Sequence, residues 1–301
     1  AWPTPCTRGS CGGSGAGQGN LVSGNAQFGI LLSGGATNNT ILGNRIGTNQ
    51  AGTAALANGL YGIYVTSAGN HIGGPAAGEG NLISGNLRGG MAITGAAATG
   101  NLVQGNLIGT TVSGSAALAN GNAGVTVSNA PGNTIGGTAA GAGNVLSGNA
   151  LHGAMIVGAT TINTLVQGNL VGLNSAGTAA VPNGQYGITN YAPNNTLGGS
   201  AAGAGNIASG NNYSGVLIYT PTATGVKVQG NRIGTDVSGT VAVPNGFYGV
   251  YVNSTDNWIG GTAAGEGNQI SGNTRGGVAL TEKTAKRNAV QGNRIGTNPA
   301  G

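Results

Sequence analysis

Only 5% of the 301 residues carry charge, against about 25% in ordinary globular chains, whereas 39% are hydrophobic and 65 are glycine. So little charge would suit a low-complexity segment, but Ile, Leu and Val recur at strict intervals, which excludes disorder. Ten Lys and Arg stand against five acids, and they are scattered apart from one cluster at Lys283, Lys286 and Arg287; no run reaches the roughly eighteen apolar residues of a membrane helix. Neither nucleic-acid binding nor membrane insertion is expected.

The chain reads as a single domain over 1–301, with residues 1–18 as a divergent N-terminal rung or cap. Its opening "AWPTPC" lacks the charged, apolar and small-residue zones of a signal peptide and suits a mature, processed protein. Cys6 and Cys11 are close enough to close a small loop, which would imply an oxidising, extracytoplasmic compartment; the alternative is a pair of buried thiols.

From Gly19 a motif begins that returns four times: "GNLVSGN", then "GNLISGN" at Gly80, "GNVLSGN" at Gly143, "GNIASGN" at Gly205 and "GNQISGN" at Gly267, at spacings of 61, 63, 62 and 62 residues. Each unit contains two related halves that read G-I-x-I, then N-x-I-x-G or N-x-I-G-G, then G-N-x-I. Apolar residues at alternate positions predict three short strands per half, with Gly and Asn supplying the turns. One half is therefore one rung of a three-sided coil, about 22 residues once insertions are removed.

Long rungs start at Gly29, Gly90, Gly153, Gly215 and Gly277 and carry an insertion such as "QAGTAALANGLY" after the third strand. Short rungs start at Gly62, Gly124, Gly187 and Gly249 and carry one such as "PAAGEG" between the second and third. Glycine at this density would penalise helix by nearly 1 kcal/mol per site. The fold class is all-β, a parallel solenoid of about ten three-strand rungs that alternate long and short. Ile30 and Leu32, Ile63 and Val65, Met91 and Ile93 should point inward on the first strand, Ile41, Ile72 and Val103 on the second, Ile46, Ile83 and Ile108 on the third.

Every rung places Asn just before its third strand: Asn20, Asn44, Asn81, Asn106, Asn144, Asn169, Asn206, Asn231, Asn268 and Asn293. Stacked about 4.8 Å apart, such side chains can pass a hydrogen bond from rung to rung and satisfy amides whose burial would otherwise cost about 1–3 kcal/mol. This is a structural ladder, since a ligand site has no need of ten copies.

With these rungs and the units "NxIGT…GTAALxN…GVxV…NxIGG…AGxGNxISGN", the chain resembles the right-handed parallel β-helix (pectate-lyase-like) superfamily, above all the NosD-type periplasmic repeats and large bacterial surface repeat proteins. That resemblance implies the fold but no single activity, for the superfamily holds lyases, epimerases, tailspikes, adhesins and passive scaffolds. Its lyases and epimerases use clustered acids, often with calcium, and an Arg, Lys or His base. Here Glu79, Asp236, Asp256, Glu266 and Glu282 fall in different rungs or corners, and His71 and His152 read as exposed residues without acid partners.

No catalytic residue, metal site or cofactor is expected, and the chain is read as not an enzyme. Tyr64 and Tyr251, outward by strand parity, with Tyr248 and Phe247, form a candidate binding face for sugar or protein, or else a cover for the long-rung insertion. The expectation is a secreted or cell-surface structural solenoid, about 50 Å long, serving as a fibre, sheath or adhesive stalk. The alternative is a carbohydrate-binding or carbohydrate-active β-helix. Because 11–25 aligns with 135–149, the first residues align with a short rung and the last with a long one, so head-to-tail self-association through the solenoid ends is expected, alongside a polysaccharide or cell-surface partner.

Overall fold

In the structure, a computed structural model that describes residues 9–297, every regular element is a β-strand. The strands fall into three parallel sheets, one for each side of the coil. The first sheet holds nine strands, from Ile30–Leu32 to Gly276–Leu280. The second and third hold ten each, starting at Ser10–Gly12 and Leu21–Val22. Each strand pairs in register with its equivalents one rung away, as where Ile63 lies between Ile30 and Met91. The expected β-solenoid of alternating rungs is therefore present.

Three aliphatic stripes meet on the axis. Ile41, Ile72, Val103, Ile135, Val166, Leu197, Val228 and Ile259 of the second sheet are fully buried, as are Ile46, Ile83, Ile108, Ile233 and Ile270 of the third. Leu280, Val290 and Ile295 are exposed, because the last described rung has a neighbour on one side only. Long-rung insertions stack separately: the backbone N–H groups of Val112, Ser175 and Val237 donate to Gly52, Gly114 and Gly177, each at 2.9 Å. They shelter a small second cluster of Leu173, Ile207 and Val243 over the third sheet.

The Gly-Asn pair before the third strand has two physical reasons to be glycine. In long rungs the glycine takes a positive φ, as at Gly43 (67°) and Gly105 (65°). In short rungs it is the close approach that matters, since a Cβ on Gly80 would stand 1.9 Å from the Gly105 carbonyl oxygen. The asparagine after it is the expected ladder, unbroken from Asn20 to Asn293, each side-chain amide donating to the next side-chain carbonyl at 2.8–3.0 Å. Each carbonyl also accepts the backbone N–H of the preceding asparagine, as Asn106 does from Asn81.

Two further ladders run parallel to it. One, after the third strand, is unbroken from Asn25 through Asn149 to Asn273 at 2.8–3.1 Å. The other, before the second strand, runs Asn39, Asn70, Asn101, Asn133, then meets Thr164 and Val226 in place of asparagine. Where Val226 offers no acceptor, the Asn195 amide turns inward to Asn190 at 3.1 Å, an asparagine buried at a core position of the first sheet.

Candidate binding face

The sequence has two Phe, two Trp and eight Tyr. Ten of these twelve lie on or beside the outer face of the first sheet; Trp258 sits on the second sheet, and Trp2 lies outside the described residues. They occupy a few lateral positions that each rung repeats: the two residues before its first-strand glycine, and the outward residues of the strand. Small outward residues between them, Ala92, Thr126 and Thr189, are buried beneath larger neighbours.

The rings form two groups. Toward the N-terminal end Phe28 stacks on Tyr64 with centroids 4.7 Å apart, Tyr61 lies 5.8 Å from Tyr64, and the Arg88 guanidinium sits 5.5 Å above Tyr61. Toward the other end a row climbs the sheet from His152 to Tyr186 (5.8 Å), Tyr213 (5.4 Å) and Phe247 (4.9 Å, rings parallel), capped by Arg275 at 4.1 Å. Tyr248 and Tyr251 pair at 5.8 Å beside it, and Tyr191 meets Tyr219 edge-on at 6.3 Å. Stacked and edge-on rings of this kind hold one another in place. Room for Tyr61 comes from Gly89, its cross-strand partner, where a Cβ would meet the ring at 2.8 Å.

Burial sets the electrostatics. Desolvation raises the Tyr186 phenol, with neighbouring tyrosines adding to it, and raises Tyr191 against an opposing hydrogen bond to Thr189. His152, expected to be exposed, is instead buried among these rings; its Nδ1 has no hydrogen-bond partner, and desolvation lowers its pKa to about 4. The expectation fails there because His152 precedes its strand and is covered by Tyr186 of the next rung. His71 is exposed on the second sheet as expected.

All four named face residues, Tyr64, Tyr248, Tyr251 and Phe247, belong to this surface. Sequence reasoning missed Phe28, Tyr191, Tyr213 and Tyr219 and the two arginines. Aligning the residues just before each first-strand glycine, in long as well as short rungs, would have found most of them.

The acids serve local turns. Glu79 and Glu266 each accept a backbone N–H of their own insertion, from Ala76 and Ala263, at 3.0 Å. The Ser238 hydroxyl, with backbone N–H groups, holds Asp236 below the usual carboxylate range, and Arg287 does the same for Asp256 at 2.6 Å. Among the described residues no three His, Cys, Asp or Glu come together as a metal site. Two shallow grooves of about 790 and 500 Å³ lie between successive short-rung insertions, the larger edged by Arg232 and Arg294. Cys11 is buried in the stripe of the second sheet, beside Ile41, and is not a free thiol; Cys6, and with it the expected pairing, lies outside the described residues.

No family model and no curated protein matches the chain. Solved structures do. A double mutant of the periplasmic alginate epimerase AlgG is similar at 17% identity and a TM-score of 0.47, over 86% of this chain and 45% of that one. AlgG without those changes matches at 17% identity and a TM-score of 0.42, over 85% and 46%. The Dettilon tailspike protein matches at 16% identity and a TM-score of 0.40, over 90% and 58%. The chain spans about half the length of these proteins, and the likeness concerns the fold alone. One expectation is corrected: reading the chain as not an enzyme does not stand, since the solved structures it is similar to include an epimerase, AlgG.

Proposed function

We propose that the chain is an extracellular adhesive stalk, a rigid rod whose first-sheet face binds polysaccharide. The observation that carries this reading is the gathering of ten of twelve aromatic residues on one of three sheets, in a protein where aromatics are only 4% of the sequence. Core packing alone does not call for them, since the axis is filled by aliphatic side chains. Flat, half-buried rings with hydroxyl edges suit the apolar faces and equatorial hydroxyls of pyranose rings. Rigidity rests on the ladders, which tie each rung to the next. Their bonds all point one way, so a rung offers acceptors on one side and donors on the other, which also supports axial self-association. Within this reading the chain belongs with the NosD-type and bacterial surface repeat proteins.

The test is retention on immobilised polysaccharides. Wild type should be retained on at least one, and a Tyr64→Ala/Tyr251→Ala variant with an unchanged melting temperature should lose about tenfold in affinity or more, as expected when stacking platforms are removed. Equal retention of both proteins would defeat the reading.

A further inference from the structure

We infer that the first-sheet face carries two equivalent sites, Tyr61–Tyr64–Arg88 and Tyr248–Tyr251–Arg275, that grip one linear acidic polysaccharide at two points. The inference rests on the carbohydrate reading above and specifies its ligand and valency.

The sites are copies in sequence and share their cross-strand pairing and tyrosine spacing, differing in the ring beneath the arginine, since Phe247 stands where the first site has Leu60. Residues 58–95, "NGLYGIYVTSAGNHIGGPAAGEGNLISGNLRGGMAITG", return as residues 245–282, "NGFYGVYVNSTDNWIGGTAAGEGNQISGNTRGGVALTE". In both, the first tyrosine faces glycine across the sheet (Tyr61 and Gly89, Tyr248 and Gly276) and the second faces alanine (Tyr64 and Ala92, Tyr251 and Ala279). Both tyrosine pairs have centroids 5.8 Å apart. In both, the arginine before the paired glycine lays its guanidinium on a ring of the preceding rung, Arg88 on Tyr61 and Arg275 on Phe247. The two short rungs between them, from Gly124 and Gly187, read "GVTV" and "GITN" and have neither the tyrosine pair nor an Arg-Gly-Gly above it.

Charge selects the ligand. A guanidinium set over a ring can still offer N–H groups to a carboxylate, and both arginines are exposed. The repeated outward and pre-strand positions of the nine rungs hold no Asp or Glu. A uronate chain therefore finds an aromatic platform and one cation at each site, with no acid at those positions; the exposed Glu282 stands just past the end of the strand facing the second site. The sites are six strands apart on the sheet, about 29 Å at the rung spacing. A sugar in an extended chain advances by about one rung, so about seven residues are needed to reach both sites.

Calorimetric titration with size-fractionated oligogalacturonates, trimer to dodecamer, tests this. The expected result is two trimers per chain, changing to one oligomer per chain and an affinity gain of about tenfold or more once the length passes about seven residues. Arg88→Gln/Tyr64→Ser should retain one trimer site and lose the length step. Arg88→Gln alone, which leaves the rings packed, should weaken the step and so separates lost binding from lost folding. Affinity independent of length, or a step that survives in the double variant, overturns bivalency and leaves the carbohydrate reading intact. Equal binding of neutral xylo-oligosaccharides overturns the acidic preference. No binding by any oligosaccharide overturns both the inference and the reading beneath it.

Discussion

Among the described residues, no buried asparagine is a lone polar group. Asn106 accepts from the backbone and side chain of Asn81 and donates to Asn144 and to the Ile72 carbonyl, so Asn106→Ala leaves several buried groups without partners at once. The expected loss is about 3 kcal/mol, read as a fall in the urea midpoint, with a smaller loss at the part-exposed Asn293. His152 makes a second residue-scale prediction. Its folded pKa of about 4 lies below the ordinary 6.5, so the unfolded chain takes up a proton first as pH falls. Stability contributed by the neutral ring is complete above pH 6.5 and is lost as pH drops toward 4, by about 3 kcal/mol in all. His152→Phe should flatten this part of the pH–stability curve; a curve parallel to wild type would show that the ring does not titrate this way. The primary ladder was legible from the sequence because its Gly-Asn pair repeats in every rung. The burial of His152 was not, because it depends on which neighbouring rung covers a turn residue.

At the scale of the rung and the corner, the ladder before the second strand shows what a defect looks like. Thr164 fills one step, its hydroxyl buried without a partner, and Val226 fills another, where the Asn195 amide donates to Asn190, a polar residue placed in the core, and to the Thr161 carbonyl. Asparagine fits the same corner in neighbouring rungs, so Thr164→Asn should accept from Asn133, donate to Asn195 and raise stability by about 1 kcal/mol. A lower urea midpoint for that variant would mean that this corner is shaped for threonine. Strand number, register and inward face followed from the period-two pattern of Ile, Leu and Val. The ladder after the third strand was harder to see, because its asparagines sit in no constant motif but alternate between Ser-Gly-Asn, as at Asn25 and Asn86, and Asn-Gly, as at Asn58 and Asn120.

Across the whole molecule, three sheets built to one plan differ in what they present. The third is sheltered by stacked insertions, the second carries a mixture of Thr, Leu and Gln with His71, Lys227 and Trp258, and the first carries the rings. Tyr64 and Tyr251 could be placed outward from parity alone, but the continuous row from His152 to Arg275 needed the register, which brings residues about thirty positions apart into contact. The central claim is that this one face meets polysaccharide. Its most direct measurement is hydrogen exchange combined with tyrosine footprinting, with and without saturating polygalacturonate. Protection confined to the first sheet and its pre-strand turns, including Tyr64 and Tyr251, is the result the account predicts. Protection centred on the grooves beside Arg232 and Arg294, or none on the tyrosines while polymer is bound, would contradict it.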